Sequence, residues 1–553
     1  MGRYLNSSTP YALYQGETNQ PYFVDKSLLL AELFPVLDAG NQHICITRPR
    51  RFGKTIMANM IAAFLSKKVD SDSIFSRLKI TSNLKYKEYR NKYNVISIDF
   101  SKISRSCDSY SDYIGKIETT LIRDLKKEYP QIEVYEDDSA ADVLETIFEE
   151  CNQERFVFVL DEWDFIFHKD FINEENKKQY IQFLSNLLKD RPYVQMTYMT
   201  GILPIAKYSD GSELNMFDEY DMACKEKYSE YFGFLDEEVD QLYDIYKKIT
   251  KNPKILRSEL KEWYDGYRFG NVDVYCPWDV INHVDRIKDD QGARPEAYWI
   301  NTSGNELVKR FVDKAGKTTR NEIERLIAGE VIEKQIRLDL TYDEIDSSID
   351  NLWSVLFTTG YLTYTGIGED GTYRLLIPNK EVREVFRLQI QEWFKRSIFS
   401  NTEQLQSFWK AFEEGNTEIM EKYLNKVLSN SVSVFDTKAR NEEKESSYHN
   451  LLLGILTGNA GWLVKSNVEA GEGFADIIVE TDDPDAGVVV ELKYVKEFRE
   501  MEQACRKALE QIRGRRYQEY LQNDDRQDIL LYGITFCKKR CRVVAEKMKA
   551  PGI

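Results

Sequence analysis

No pair of C-x-x-C units occurs in this chain, and its eight cysteines are scattered. A structural zinc site draws its ligands from short, paired spacings, so none is expected; Cys537 and Cys541 in "CKKRC" have no second ligand pair. The four histidines, His43, His168, His283 and His449, form no ligand spacing either. Also missing are an apolar run long enough to cross a bilayer and the charged-then-apolar layout of a signal peptide. In "MGRYLNS" Asn6 stands where a myristoylation motif needs Ser or Thr. These absences lead to the expectation of a soluble, cytoplasmic protein with reduced thiols and no membrane partner.

An excess of positive charge is lacking too. The net charge is −17, which excludes a protein that coats nucleic acid through bulk electrostatics. The balance is uneven, because from Glu491 onward 15 Lys and Arg face 10 Asp and Glu. A locally basic end permits phosphate contact. What the chain does have is core-forming material, with 42% hydrophobic and 13% aromatic residues over 553 positions. That length is too great for one core, and several domains are expected.

In the first third, strand-like runs alternate with amphipathic stretches. "HICITRP" (43–49) leads into "GKTIMANMIAAFLSKK" (53–68); "NVISIDFS" (94–101), "FVFVLDEWDFIF" (156–167) and "YVQMTYMTGI" (193–202) follow, with helical stretches between. This alternation predicts a parallel sheet with crossover helices over residues 1–235. Residues 236–400 read as mainly helical, and 342–379 read as a helix followed by a hairpin turning at "GEDGTY", an order that suits a winged-helix-like module. Residues 401–553 open on helices; after "EEKESSYHNLLLGILTG" (442–458) two strands, a helix and a final strand, "DILLYGITFC" (528–537), are expected. No internal repeat or low-complexity linker marks the boundaries.

"RPRRFGKT" (48–55) is a phosphate-loop pattern whose first glycine is absent, with Arg48 in its place. A phosphate cradle needs a strand, a tight loop and a helix N-terminus, and all three are predicted here. Gly53 permits close backbone approach, Lys54 reaches the β- and γ-phosphates of ATP, and the Thr55 hydroxyl binds Mg²⁺. Arg48 is expected at the loop entrance with its side chain pointing outward. About a hundred residues on, a continuous apolar strand ends in Asp161 and Glu162. There Asp161 would hold the Mg²⁺ shell and Glu162 would polarise the attacking water.

"GFADIIVETDDPDAGVVVELKY" (473–494) reads as a hairpin turning at "DDPDAG". Asp476 lies in its first arm, and Glu491 and Lys493 lie two apart in its second, on one face. Folding the hairpin about its centre brings Asp476 to Glu491. Two converging carboxylates suit Mg²⁺ or Mn²⁺, and the neighbouring lysine suits charge developing on a scissile phosphate.

"YFVDKSLLLAEL", "TRPRRFGKT", "VLDEWD", "MTGILPIAK", "WYDGYRFG" and "VYCPWDV", in this order, resemble the AAA-ATPase-like family of prokaryotic proteins that often carry a C-terminal PD-(D/E)XK nuclease. The resemblance implies an arginine-rich loop without the first glycine, with Arg50 and Arg51 near the phosphates and Thr200 as a sensor-like residue. It also implies Glu445 as a helix-borne metal-binding glutamate, with Gln511 and Tyr517 on the helix after the hairpin. That helix and its end carry Arg513, Arg515 and Arg516, where nucleic-acid phosphates could be met; a solvated basic face is the alternative. Two departures are Trp163, where the family usually has Tyr, and Pro204, where it commonly has a basic residue.

The expectation is an α/β protein in three parts. A P-loop (RecA/AAA-like) ATPase domain spans 1–235, a helical, winged-helix-like region 236–400, and a restriction-endonuclease-like domain 401–553. It would hydrolyse ATP and cut phosphodiester bonds with Mg²⁺ or Mn²⁺; DNA is the expected nucleic acid and a homo-oligomer an admissible assembly. The alternative is a nucleotide-gated switch whose C-terminal domain binds nucleic acid or a partner without cutting.

Overall fold

Five apolar runs form a wholly parallel sheet: β1 (Gln42–Thr47), β2 (Asn94–Asp99), β3 (Phe156–Asp161), β4 (Val194–Gly201) and β5 (Phe217–Tyr220), in the order β2-β3-β4-β1-β5. The computed structural model describes residues 2–102, 107–169, 171–202, 204–205, 213–223, 226–249, 256–290, 293–298, 306–338, 340, 348–399, 402–430 and 441–548. They fall into two compact units, residues 1–305 with 331–383, and residues 306–330 with 384–553. Among the described residues no helix is long and apolar enough to cross a membrane.

In the first unit, every residue of β3 is buried, as its lack of a polar face requires. Helices Tyr110–Glu128 and Ala140–Glu150 follow β2, and Glu174–Leu188 follows β3. Side chains of Ser109, Ser139 and Asn173 cap their N-termini. Helix Lys54–Leu65, apolar almost all round, is correspondingly buried. Because the strands are parallel, their C-terminal ends lie along one edge: Thr47 pairs with Gly201 and Asp99 with Asp161.

The same unit adds a helical cluster, Asp236–Ile249, Arg257–Tyr264 and Pro277–Asp289, whose core takes in Tyr22 from the N-terminal segment. Strands β6 (Tyr267–Phe269) and β7 (Val272–Val274) pair as a hairpin. Helix Ile349–Thr358 precedes the hairpin of Thr363–Ile367 and Tyr373–Leu376, so the helix-then-hairpin order is present, with residues 341–347 outside those described. The strands here are β8 (Ile332–Lys334), β9 (Thr363–Ile367) and β10 (Tyr373–Leu376), in the order β8-β10-β9.

The second unit holds a mixed sheet of β11 (Leu463–Ala470), β12 (Gly473–Glu480), β13 (Ala486–Tyr494), β14 (Asp528–Cys537) and β15 (Arg540–Met548). Only β13 and β14 run parallel, joined by helix Met501–Gly514. Helices Thr402–Glu414, Thr417–Asn430 and Asn441–Leu456 pack into a core with β12, β13 and β14, while helix Met501–Gly514 belongs to a second core. Two expectations need correction. β14 is not the final strand, and a further strand, β11, precedes the hairpin. Both extra strands are sheet edges carrying charged residues, as edge strands do to avoid pairing with other chains, and their apolar signal is diluted accordingly.

The N-terminal segment is held by charge. Lys26 Nζ donates to Glu238 Oε2 at 2.7 Å and to the Glu230 carbonyl at 2.6 Å, with both side chains of the ion pair buried. Removing one partner of a buried pair leaves an uncompensated charge. Glu238→Ala should therefore lower stability by about 3–5 kcal/mol, read in denaturant melts, while Lys26→Met with Glu238→Leu should cost clearly less.

Candidate nucleotide and metal sites

β1 ends at Thr47, and the chain turns through residues 48–53 into helix Lys54–Leu65. Gly53 caps that helix at φ +85°, with open space where a Cβ would stand. The backbone conformation, not crowding, therefore asks for glycine. Lys54 is buried, and its Nζ donates to the carbonyls of Arg48 and Pro49, each at 2.9 Å. Burial lowers its pKa against the raising effect of Glu162, Asp164 and Asp161.

Arg48 corrects an expectation, because its side chain points inward and is fully buried. Its N–H still pairs with Gly201, so the residue prolongs β1 inside the sheet. Nη1 donates to the carbonyls of Thr47 and Tyr220 at 2.8 and 2.6 Å, and the guanidinium lies 5.4 and 4.9 Å from the ring centres of Phe232 and Phe269. Burial pulls its pKa down to about 10. It is a strut under the loop.

Asp161, at the end of β3, is buried and accepts a hydrogen bond from the Thr200 hydroxyl of β4. Its Oδ2 is buried without a hydrogen bond of normal geometry. Burial raises its pKa despite the hydroxyls of Thr200 and Thr55 and the charge on Lys54. A cation would satisfy that orphaned oxygen, so Asp161 and Thr55 fit Mg²⁺. Glu162 has φ +52°, a left-handed conformation costly for a side-chain-bearing residue, and its N–H meets Thr200 Oγ1 at 3.4 Å. Burial raises its pKa, which suits a base.

Arg50 is exposed. Arg51, at φ +72°, lays its guanidinium 4.5 Å from the Trp278 ring centre and feels the buried carboxyls of Asp279 and Glu381. Pro204 is buried, and residues 206–212 of its loop lie outside those described. Sequence reasoning passed over Asp99, registered beside Asp161, and Asp164, buried and accepting the Ile202 N–H at 2.9 Å. Asp99 sat in plain sight as an acid closing an apolar strand. A cavity of about 310 Å³ reaches Gly53, its walls including Tyr22, Phe23, Val24, Met57 and Ile281.

In the second unit, Asp476 Oδ2 accepts the Leu492 N–H at 2.7 Å. Glu491 Oε1 accepts from Lys493 Nζ at 2.8 Å and from the Gln511 amide. Its Oε2 is buried without a hydrogen bond of normal geometry, though the Asp476 backbone N–H acts on the carboxyl, again an oxygen a cation would satisfy. Burial, then the neighbouring Asp476, pushes the Glu491 pKa up to about 7. The Lys493 pKa is raised: burial lowers it, but Glu491, Glu445 and Asp476 prevail. Glu445 Oε2 takes the Tyr494 N–H at 3.3 Å. Among the described residues no three His, Cys, Asp or Glu side chains are grouped to hold one ion. Asp476 and Glu491 are thus the carboxylates this hairpin offers. His449, set aside in the sequence for want of a ligand spacing, accompanies them: it lies one helical turn beyond Glu445, contacts Ser466 Oγ at 2.8 Å and feels Asp476.

Gln511 also donates to the Tyr517 hydroxyl at 3.4 Å, and Tyr517 is buried, so both back the carboxylates. Arg513 pairs with Glu546, Arg516 with Glu519, and Arg515 donates to the Glu472 carbonyl at 3.2 Å. These three guanidinia are engaged within the unit itself.

Comparison with known proteins matches both parts. Residues 15–209 match the family model of predicted AAA-ATPases, and residues 443–546 match that of the PD-(D/E)XK nuclease superfamily. The chain thus combines an AAA-ATPase-like region with a PD-(D/E)XK nuclease-superfamily region. It is 24% identical over 378 residues to an uncharacterized protein in the vnfD 5′ region of Azotobacter chroococcum mcd 1, covering 66% of each chain, slightly under two thirds of that relative. Among solved structures it is similar to the Walker-type ATPase PABY2304 of Pyrococcus abyssi, with 13% identity, 66% of this chain and 94% of that one covered, and a TM-score of 0.35. Cdc6p from Pyrobaculum aerophilum is similar at 10% identity, with 66% and 92% covered and a TM-score of 0.25.

Glu491 gives a pH signature. An acid whose folded pKa exceeds its unfolded value near 4.5 stabilises the fold fully below that value and ceases to as pH rises through about 7. Glu491→Gln should accordingly raise the thermal midpoint of metal-free protein more at pH 8 than at pH 5.

Proposed function

We propose that this protein is an ATP-hydrolysing enzyme joined to a divalent-metal-dependent nuclease that hydrolyses phosphodiester bonds in nucleic acid, DNA being the expected substrate. The observation that carries the nuclease half is the Asp476–Glu491–Lys493 arrangement: two facing carboxylates, one with a buried oxygen lacking a hydrogen bond of normal geometry, and an ammonium at 2.8 Å from the other oxygen.

At the nucleotide site, the N–H groups of residues 51–55 cap the helix and receive phosphate oxygens. Lys54 moves from its loop carbonyls to the phosphates. Thr200 holds Asp161 in one orientation, Thr55 and Asp161 would hold Mg²⁺, and Glu162 aligns water. The cavity beside Gly53, apolar along Tyr22, Phe23 and Ile281, is suited to the base.

At the nuclease site Asp476 and Glu491 would hold Mg²⁺ or Mn²⁺, which supplies an activated water and charge neutralisation at the phosphate. The Leu492 N–H fixes Asp476, and Gln511 fixes Glu491. Lys493, half-buried and released from Glu491 as the phosphate arrives, offsets charge developing on it.

Lys54→Ala should reduce ATP turnover by at least about a hundredfold. Asp476→Ala or Lys493→Ala should reduce cleavage by at least about a hundredfold while ATP binding persists. The assay is full-length protein with Mg²⁺ or Mn²⁺ on single-stranded DNA, duplex DNA and RNA, with ATP or a non-hydrolysable analogue. Absence of cutting on every substrate would sink the nuclease half and leave a nucleotide-gated binding protein.

A further inference from the structure

Immediately past Lys493 the chain leaves β13 and turns through Phe498, whose ring is 48% exposed. Two cations share that ring: Lys538 Nζ lies 5.9 Å and Arg540 Cζ 5.0 Å from its centre. Both flank the β14–β15 turn, where Lys538 has φ +52°. Lys496, also exposed, stands two residues before Phe498.

The turn is tied to the carboxylate site. Tyr448 donates its hydroxyl to the Lys538 carbonyl at 2.7 Å, and its ring stacks against Tyr494 and Phe536 at 5.9 and 4.5 Å. Val495 N–H meets the Phe536 carbonyl at 3.0 Å. Glu445, one turn before Tyr448, takes the N–H of Tyr494 itself. The patch is therefore held at the end of the strand that carries Glu491 and Lys493.

Its charge is uncommitted. Among the described residues Lys496, Lys538 and Arg540 have no carboxylate at ion-pair distance. Their neighbours do: Arg499 pairs with Glu497, Lys539 with Glu324, and Arg542 with Glu421 and Glu502. Like charges gathered at one aromatic ring repel one another, and an anion relieves that repulsion. A chain of phosphates suits a row of exposed cations better than a single anion does.

We propose that Lys538 and Arg540, gathered at Phe498, together with exposed Lys496 two residues before it, bind the phosphodiester backbone of a nucleic acid and lead it to Asp476, Glu491 and Lys493. The destination, though not the binding, rests on the nuclease reading above. This places the backbone contact at the β14–β15 turn and not at Arg513 and Arg516, which are spent on Glu546 and Glu519.

The test is fluorescence anisotropy of full-length protein with fluorescein-labelled DNA and RNA duplexes in EDTA, over a salt series. Lys538→Glu with Arg540→Glu should weaken binding by at least about tenfold and reduce the salt slope by about 2, with an unchanged thermal midpoint. Arg513→Ala with Arg516→Ala should change affinity by less than about twofold. Wild-type affinity in the Lys538/Arg540 variant, loss confined to the Arg513/Arg516 variant, or no wild-type binding to either duplex at low salt would each overturn the proposal. Binding that depends on Lys538 and Arg540, without cutting in Mg²⁺ or Mn²⁺, upholds the patch and removes the nuclease reading.

Discussion

Placing a charged group out of water costs several kcal/mol unless partners replace its hydration, and both candidate sites are built from such groups carried on strands. Asp161 and Lys54 are buried where β3 ends and the loop after β1 closes, and Glu491 is buried near the end of β13. Their positions follow from strand direction. In the first unit parallel neighbours finish at a common edge, so Asp161, Thr200 and the loop after β1 meet where the backbone must leave the sheet, whereas in the second the antiparallel pairing of β12 with β13 brings Asp476 to Glu491. The rest of each unit, apolar strands beneath and helices over them, keeps that edge dry enough for the charges to act strongly on one another.

The two sites use a lysine differently. Lys54 is fully enclosed and satisfied by two carbonyls of its own loop, a neutral cradle from which it can turn to an incoming phosphate. Lys493 is half-exposed and satisfied by Glu491, a carboxylate that also suits an ion. Under the proposed function, a cation at Glu491 would compete with that pair and free the ammonium for substrate. Asp161, with no ion pair among the described residues, is oriented by the neutral Thr200 hydroxyl, and its second oxygen is the one that would take a cation under the proposed function.

Much of this was legible locally. Gly53, Lys54 and Thr55 lie in one short run, and the acids at 161 and 162 close a strand whose apolar character is plain; Glu491 and Lys493 stand two apart. Less legible were features set by packing between distant segments. Arg48 looked like an outward-facing substitute for glycine, but its partners are the Tyr220 carbonyl and two rings far along the chain. Arg51 meets Trp278, and His449 meets Ser466 of β11. Edge strands β11 and β15 were hidden because exposed edges carry charge, which dilutes the alternation that reveals a strand. The arginines after Gln511 read as free cations because their acidic partners include Glu546, 33 residues from Arg513.

Composition and short-range pattern by themselves determined the α/β character, the phosphate loop and the acidic hairpin, because period, strand length and residue spacing are properties of neighbouring residues. Tertiary structure alone decided which cations are spent and which are uncommitted, which carboxylate oxygen lacks a hydrogen bond of normal geometry, and which way Arg48 points. Those outcomes depend on burial and on donors and acceptors brought together from afar, and a linear string carries no distances between them.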